Sequence, residues 1–273
     1  MPGTLFIVST PIGNLEDMTL RAIRVLKEAD IIAAEDTRHS RKLLTHFGIG
    51  TPMMSYWGEK EKVKAEEVMA HLMKGETVAL ISDAGTPGIS DPGAVLIRRA
   101  IEDGVEIVPV PGPSALAAAV TISGLPTEQF VFIGFMPNKR SQRRKALEEL
   151  ASEPRTMVFY ESPHRIFDTL VDIEEVFGSG RRAAVAKEIT KLHERVLRGT
   201  LETILDAMET ETIAGEYVIV VDGAPEDEAM TEDDAMERMR ELVAGGASRK
   251  DASRMVADES GLSRKMLYNR SLK

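Results

Sequence analysis

The sequence predicts an α/β protein built from two α/β domains, followed by a small helical module. Three observations predict it. Short apolar runs alternate with segments of helical period almost from the first residue. A break at Ser123-Gly124-Leu125-Pro126-Thr127 interrupts this alternation, and a second series of the same kind then begins. Beyond residue 231 only helical segments remain. The resulting division is 1–124 and 125–223 for the α/β domains, 224–230 for a polar linker and 231–273 for the module. A chain of 273 residues can bury two such cores.

In the first series, residues 5–9, 31–34, 53–56, 77–81 and 106–108 read as strands. Leu20, Ile23 and Leu26 recur at helical spacing after Thr19, a residue suited to cap a helix. Further helices are expected at 38–47, 59–74 and 93–103, each ending at a glycine (Gly48, Gly75, Gly104). Strict alternation of strand and helix predicts a mostly parallel sheet covered on both faces. A helix of small residues, 115–120, follows the cap Ser114. In the second series the strands are 130–134, 156–160, 183–187, 195–198 and 216–222, with helices at 139–151, 164–176 and 201–209. The tail reads as helices 232–243, 249–257 and 264–268, the last two separated by a turn at Gly261 of helix-turn-helix length.

Composition excludes several classes. No apolar run is long enough to cross a bilayer, and the start lacks the basic and apolar regions of a signal peptide, so no membrane partner and a cytoplasmic location are expected. Without cysteine there is no disulfide, thiolate ligand or thiol nucleophile, and the five histidines show no metal spacing. A net charge of −10 argues against coating nucleic acid over the whole surface. Two local excesses of positive charge remain. One is Lys139, Arg140, Arg143, Arg144 and Lys145; the other is residues 238–273, with nine Lys/Arg against four Asp/Glu.

In an open parallel sheet, ligands bind beyond the carboxyl ends of the strands. The segments there are rich in Gly, Pro, Ser, Thr and Asp. Ser9-Thr10-Pro11-Ile12-Gly13-Asn14-Leu15 can bring backbone close to a ligand, or be a plain turn; with one glycine it is no dinucleotide fingerprint. The loop 82–93 is too long and too poor in core residues for an ordinary connector. Its hydroxyls and its carboxylates Asp83 and Asp91 suit a polar, cationic ligand. Pro109 to Ala115 is as well read as structural as functional. Glu35-Asp36-Thr37-Arg38-His39-Ser40, Tyr160-Glu161-Ser162-Pro163-His164-Arg165 and Lys187-Glu188-Ile189-Thr190 also follow strands and suit a cleft wall.

These stretches, together with Ser82-Asp83-Ala84-Gly85-Thr86-Pro87 and Val110-Pro111-Gly112-Pro113-Ser114-Ala115, resemble the tetrapyrrole methylase superfamily. The resemblance runs from residue 4 to about 223, and within the superfamily it is to the branch that modifies small-subunit ribosomal RNA. The porphyrin- and corrin-modifying members have a glycine-rich first loop followed by Asp, where this chain has Pro11-Ile12-Gly13-Asn14. Their central Gly-Asp-Pro is here Ser82-Asp83-Ala84, which puts a tetrapyrrole substrate in doubt. The resemblance implies two α/β domains with S-adenosylmethionine in the cleft between them, a homodimer, and methylation of a cytidine 2′-hydroxyl in 16S ribosomal RNA within the small ribosomal subunit. It implies that Pro11 lies under the cofactor, that Asp83 and Thr86 contact it from the central loop, and that Ser114 and Ala115 flank its methionine portion. By the same resemblance Glu161 and Ile189 meet the adenosine end.

Methyl transfer to a hydroxyl needs alignment, worth on the order of 7 kcal/mol or more, and a group that assists proton loss. Asp36, Arg38, His39, Lys187 and Glu188 are the candidates for that group. Lys139, Arg140, Arg143, Arg144, Arg249, Lys250, Arg254, Arg264, Lys265 and Arg270 are candidate RNA contacts. The alternative for the first basic group is a solvated helix start, and for the tail a dimerisation bundle. Two other readings stay open: a methyltransferase acting on a tetrapyrrole or other small molecule, and a non-enzymatic ligand sensor with a DNA-binding tail.

Overall fold

The computed structural model describes residues 1–57, 61–225, 232–260 and 262–271. They form two compact units, Met1–Asp222 and Gly223–Lys273. The first unit contains two five-stranded sheets.

The first sheet contains β1 (Thr4–Val8), β2 (Ile31–Ala34), β3 (Met53–Ser55), β4 (Val78–Ile81) and β5 (Glu106–Val110). All its pairings are parallel and the order is β3-β2-β4-β1-β5. The burial of β4 on both faces explains its unbroken apolar run. Helices α1 (Leu20–Glu28) and α2 (Thr37–His46) cover one face, placing Ala22, Val25, Leu26 and Leu44 over Val8, Ile32, Ala79 and Ile81. On the other face α3 (Glu61–Met73) and α4 (Ala94–Glu102) place Val68, Leu72, Leu96 and Ala100 over Leu5, Ala33, Val78 and Leu80. Thr19 caps α1 by accepting from the Ala22 amide at 3.0 Å, as its sequence position implies. Neighbouring β1 and β4 send their helices to opposite faces, so a crevice opens between the two strand ends.

The second sheet has the order β6-β7-β10-β8-β9, from β6 (Phe130–Phe135), β7 (Thr156–Glu161), β8 (Arg182–Lys187), β9 (Arg195–Thr200) and β10 (Tyr217–Val221). Only β6 and β7 are parallel. β10 runs antiparallel between β7 and β8, so its first residue, Tyr217, lies opposite Glu161 and Lys187 at their ends. Alternate residues separate cleanly. Met157, Phe159, Val185 and Ile219 face α6 (Arg140–Leu150), α7 (Ile166–Phe177) and α8 (Leu201–Met208). Val158, Ala184, Ala186, Val218 and Val220 face α5 (Ala115–Ser123).

The position of α5 differs from the expected division at residue 124. It packs on the second sheet through Ala119 and Val120, and the Arg198 guanidinium holds its last turn by donating to the Ile122 carbonyl at 2.6 and 2.9 Å. A cut at 124 would part this helix from its core.

In the second unit α9 (Glu232–Ala244), α10 (Arg249–Ser260) and α11 (Arg264–Arg270) bury Ala235, Met236, Met239, Ala252, Val256 and Leu267 together. The turn expected at Gly261 lies outside the described residues, as do Glu59, Lys60 and most of the linker. Among the described residues no helix is long and apolar enough to cross a membrane.

Candidate functional site

The loops after β1 and β4 are joined in the crevice. Thr10 and Gly85 exchange backbone hydrogen bonds of 2.8 and 3.0 Å, and the Ser9 and Thr86 hydroxyls lie 2.8 Å apart. The Thr10 hydroxyl donates to the Ser82 carbonyl at 3.2 Å. Positive φ is common to Gly85, Gly88 and Gly93 in the β4 loop, and Gly93 is also closely approached. Gly93 adopts φ +142°, and a Cβ there would lie 3.2 Å from both the Gly88 nitrogen and the Leu80 side chain.

A cavity of about 290 Å³ opens beside this junction. One wall is Ile12, Thr86, Ile89, Ser90 and Asp91 from the two loops, with Ser114 and Ala115 at the start of α5. The opposite wall comes from the second sheet: Phe135, Tyr160, Glu161, Ser162, Glu216 and Tyr217. The Tyr160 hydroxyl accepts from the Leu116 amide at 3.1 Å and so fixes the start of α5 on the second sheet. Burial, and then the negative charge of Glu35, push the Asp91 carboxyl up to about 6. Glu35 is itself raised by burial and accepts from the Asp83 amide at 3.2 Å.

A second cavity, about 410 Å³, shares Ile12, Ala84 and Glu216 with the first. It is further lined by Pro11, Gly13, Asp83 and Lys191, and by His39, Lys42, Leu43 and His46. The last four recur at helical spacing and form one face of α2.

Of the residues singled out in the sequence, Thr86, Ser114, Ala115 and Glu161 therefore meet in one cavity. Pro11 and Asp83 line the other. Asp83 accepts from the Asp36 amide at 3.1 Å, while Asp36 caps α2 by accepting from the Arg38 amide at 2.7 Å. The Asp36 carboxyl is held below its ordinary value by the Arg38 side chain and backbone. Ile189 lines neither cavity and packs against the core beneath α5. Glu161 has its carboxylate occupied: it accepts from the Ser162 amide at 2.7 Å, from Arg165 at 2.7 Å and from the Thr169 hydroxyl at 2.8 Å.

Among the five proton-transfer candidates only His39 lines either of these two cavities. Arg38 points to solvent, 92% exposed. Lys187 donates to the Thr212 carbonyl at 2.5 Å and lies over the Tyr217 ring. Glu188, at φ +51°, accepts from Lys191 at 2.8 Å and from the Glu216 amide at 3.0 Å. Lys191 also donates to Glu216 at 3.0 Å, and its stem crosses Gly13, where a Cβ would be 2.4 Å away. Burial alone would pull the Lys191 ammonium down, but the hydrogen bonds to Glu188 and Glu216 hold it above its ordinary value.

The first basic group needs correction. Arg143 is buried, and its guanidinium donates to Asp172 on α7 at 2.7 Å and forms an ion pair with it at 2.6 Å. Arg140 donates to Asp172 at 2.7 Å and to Glu175, and Arg144 pairs with Glu175 as well. These three arginines staple α6 to α7. Of the predicted contacts in this segment only Lys139 makes no ion pair among the described residues. In the tail, Lys250, Arg264 and Lys265 line a shallow cavity with Ser253 and Tyr268, and Arg270 lines a neighbouring one. Arg249 is exposed, and Arg254 stands 3.9 Å from Asp251.

Sequence reasoning missed the role of Tyr217 and Glu216, because it sought ligands only after strands. An antiparallel β10 brings the start of a strand to that edge. Asp91 was visible only as one of two carboxylates in the loop. Among the described residues no group of three or more His, Asp or Glu could hold a metal.

Residues 4–205 match the family described as Tetrapyrrole (Corrin/Porphyrin) Methylases. The ribosomal RNA small subunit methyltransferase I of Synechocystis sp. is 47% identical over 272 residues, covering 99% of this chain and 98% of that protein. The protein of the same name from Escherichia coli O157:H7 is 42% identical over 99% of this chain and 95% of its own length. Among solved structures, the methyltransferase CobJ superposes with a TM-score of 0.60 at 22% identity, over 81% of this chain and 95% of that one. A uroporphyrin-III C-methyl transferase from Thermus thermophilus, complexed with S-adenyl homocysteine, gives 0.58 at 20% identity, over 80% of this chain and 97% of that one.

Proposed function

This chain belongs to the ribosomal RNA small subunit methyltransferase I family of the tetrapyrrole methylases, and from that premise we propose that it methylates the 2′-hydroxyl of a cytidine in 16S ribosomal RNA, using S-adenosylmethionine. What supports the reading most is likeness along almost the whole chain, tail included.

The smaller cavity fits the cofactor's chemistry. Apolar and aromatic side chains, Ile12, Ile89, Phe135, Tyr160 and Tyr217, surround a few converging hydroxyls and carboxylates, the usual make-up of a small-molecule site. A carboxylate pushed up by burial and by neighbouring negative charge, as Asp91 is, gains when a cation arrives. S-adenosylmethionine supplies an electrophilic methyl on a positively charged sulfur. Thr86, Ser114, Ala115 and Asp91 would bind and orient it. Asp83 and Pro11 shape the loops beneath, Glu161 sets the turn after β7, and Ile189 holds the adjoining segment in the core. His39 lines the neighbouring cavity, which supports assigning it the role of taking the hydroxyl proton. Asp36 positions the first turn of α2 that carries it, and Glu188 positions Lys191. Arg38 and Lys187 have no part in proton transfer in this account.

The tail, with Arg249, Lys250, Arg254, Arg264, Lys265 and Arg270, serves to grip RNA phosphates. The protein is taken as a cytoplasmic homodimer; a monomer mass in light scattering would contradict the assembly. The test of function is incubation with methyl-labelled cofactor and unmodified 30S subunits, followed by mapping of the label. Label on a cytidine ribose of 16S RNA is expected. Transfer to a porphyrin or corrin but not to 30S would overturn the reading.

A further inference from the structure

We propose that α2 presents a basic face along which the RNA backbone runs, and that the larger cavity beside it takes the nucleotide to be methylated. The proposal deepens the RNA-methyltransferase reading and rests on it. In a chain of net charge −10, α2 contains Arg38, His39, Arg41, Lys42 and His46 and no acidic residue. Arg38 pairs with Asp36, whereas Arg41 and Lys42 make no ion pair among the described residues and are exposed. A phosphate chain therefore meets cations that no carboxylate has already neutralised. The group at residues 139–145 offers the opposite case, since Asp172 and Glu175 occupy its arginines.

Position supports the same assignment. His39, Lys42, Leu43 and His46 make one helical face, and that face is a wall of the larger cavity. Of the carboxylates lining this cavity, Asp83 accepts from the Asp36 amide at the cap of α2, and Glu216 is paired with Lys191. Lys191 closes the far side, its stem against Gly13. Ile12 and Ala84 separate this cavity from the smaller one and line both. A nucleotide in one and a methyl donor in the other would meet across a small alanine side chain. The Asp83–Asp36 hydrogen bond ties the start of α2 to the β4 loop, so the track and the cavity keep a common register.

The test compares Lys42→Glu, Arg41→Glu and their double variant with Lys74→Glu. Lys74 lies just after α3, on the opposite face of the first sheet. The full-length protein is used, with labelled S-adenosylmethionine and unmodified 30S subunits. Lys42→Glu should raise KM for 30S by roughly tenfold, as removal of a charge-assisted hydrogen bond does, with kcat changed far less. The salt dependence of RNA binding should flatten by about 0.7 in slope for each single-strand phosphate that the variant no longer neutralises. Cofactor Kd by calorimetry should match wild type and certifies the fold; Lys42→Gln, with a smaller expected effect, serves if Lys42→Glu fails that check. If the double variant behaves as Lys74→Glu does, the proposal is overturned while the methyltransferase reading stands. If the wild type transfers no methyl to 30S, both fall.

Discussion

Replacing Arg143 with methionine separates a structural arginine from an RNA contact. The side chain is 5% exposed and its partner Asp172 is fully buried. One hydrogen bond of 2.7 Å and a closest ion-pair approach of 2.6 Å, both to the same carboxylate oxygen, join them, and Arg140 adds a second hydrogen bond at 2.7 Å from a position 60% exposed. Burial alone would push the Asp172 carboxyl up, but the hydrogen bonds from Arg140 and Arg143 hold it below its ordinary value. Breaking a buried pair from one side costs about 3–5 kcal/mol, because the remaining charge is left desolvated. Arg140 stays bonded in Arg143→Met, and methionine fills most of the space, so a loss of about 3 kcal/mol is expected. For a unit of this size that lowers Tm by roughly 6–12 °C. Urea denaturation followed by circular dichroism measures the loss, and 30S binding is measured at a temperature where the variant is folded. Adding Asp172→Asn should recover part of the stability. An unchanged midpoint together with weakened RNA binding would refute the reasoning and return this arginine to the RNA surface.

Cofactor affinity should rise with pH through about 6 and level off above it, because Asp91 is protonated below that value and can pair with a cation only when ionised. Asp91→Asn should bind roughly tenfold or more weakly at pH 8 and show a flat profile; an unaltered profile by calorimetry would remove Asp91 from the site. Gly93→Ala should lose roughly 1–3 kcal/mol of stability, since φ +142° is strained for alanine and the new Cβ meets the Gly88 nitrogen and Leu80; wild-type stability in denaturation would contradict this. Arg264→Glu with Lys265→Glu should weaken 30S binding and flatten its salt dependence while leaving cofactor Kd unchanged. If only the mass in light scattering changes, the tail is a dimer bundle.

What the sequence determined by itself was local. The alternation of apolar runs and helical periods gave the order of the elements. Thr19 and Ser114 cap helices where their positions imply, because a cap needs only an amide two or three residues on. The loops 9–15 and 82–93 were legible as site material because they lack core side chains at strand ends. Tertiary structure decided the rest, through contacts that no local pattern encodes. The acid that occupies Arg143 stands 29 residues away on another helix, so the basic group looked free along the chain. The direction of β10 follows from its pairing with β7 and β8, and only that pairing brings Glu216 and Tyr217 to the cavity. Helix α5 could have covered either sheet on its composition; Ala184 and Ala186 leave the shallow surface against which its own small residues pack. And the place of Lys42 on the wall of the larger cavity, from which its proposed role is argued, follows from the packing of α2 beside the β4 loop and from no local pattern.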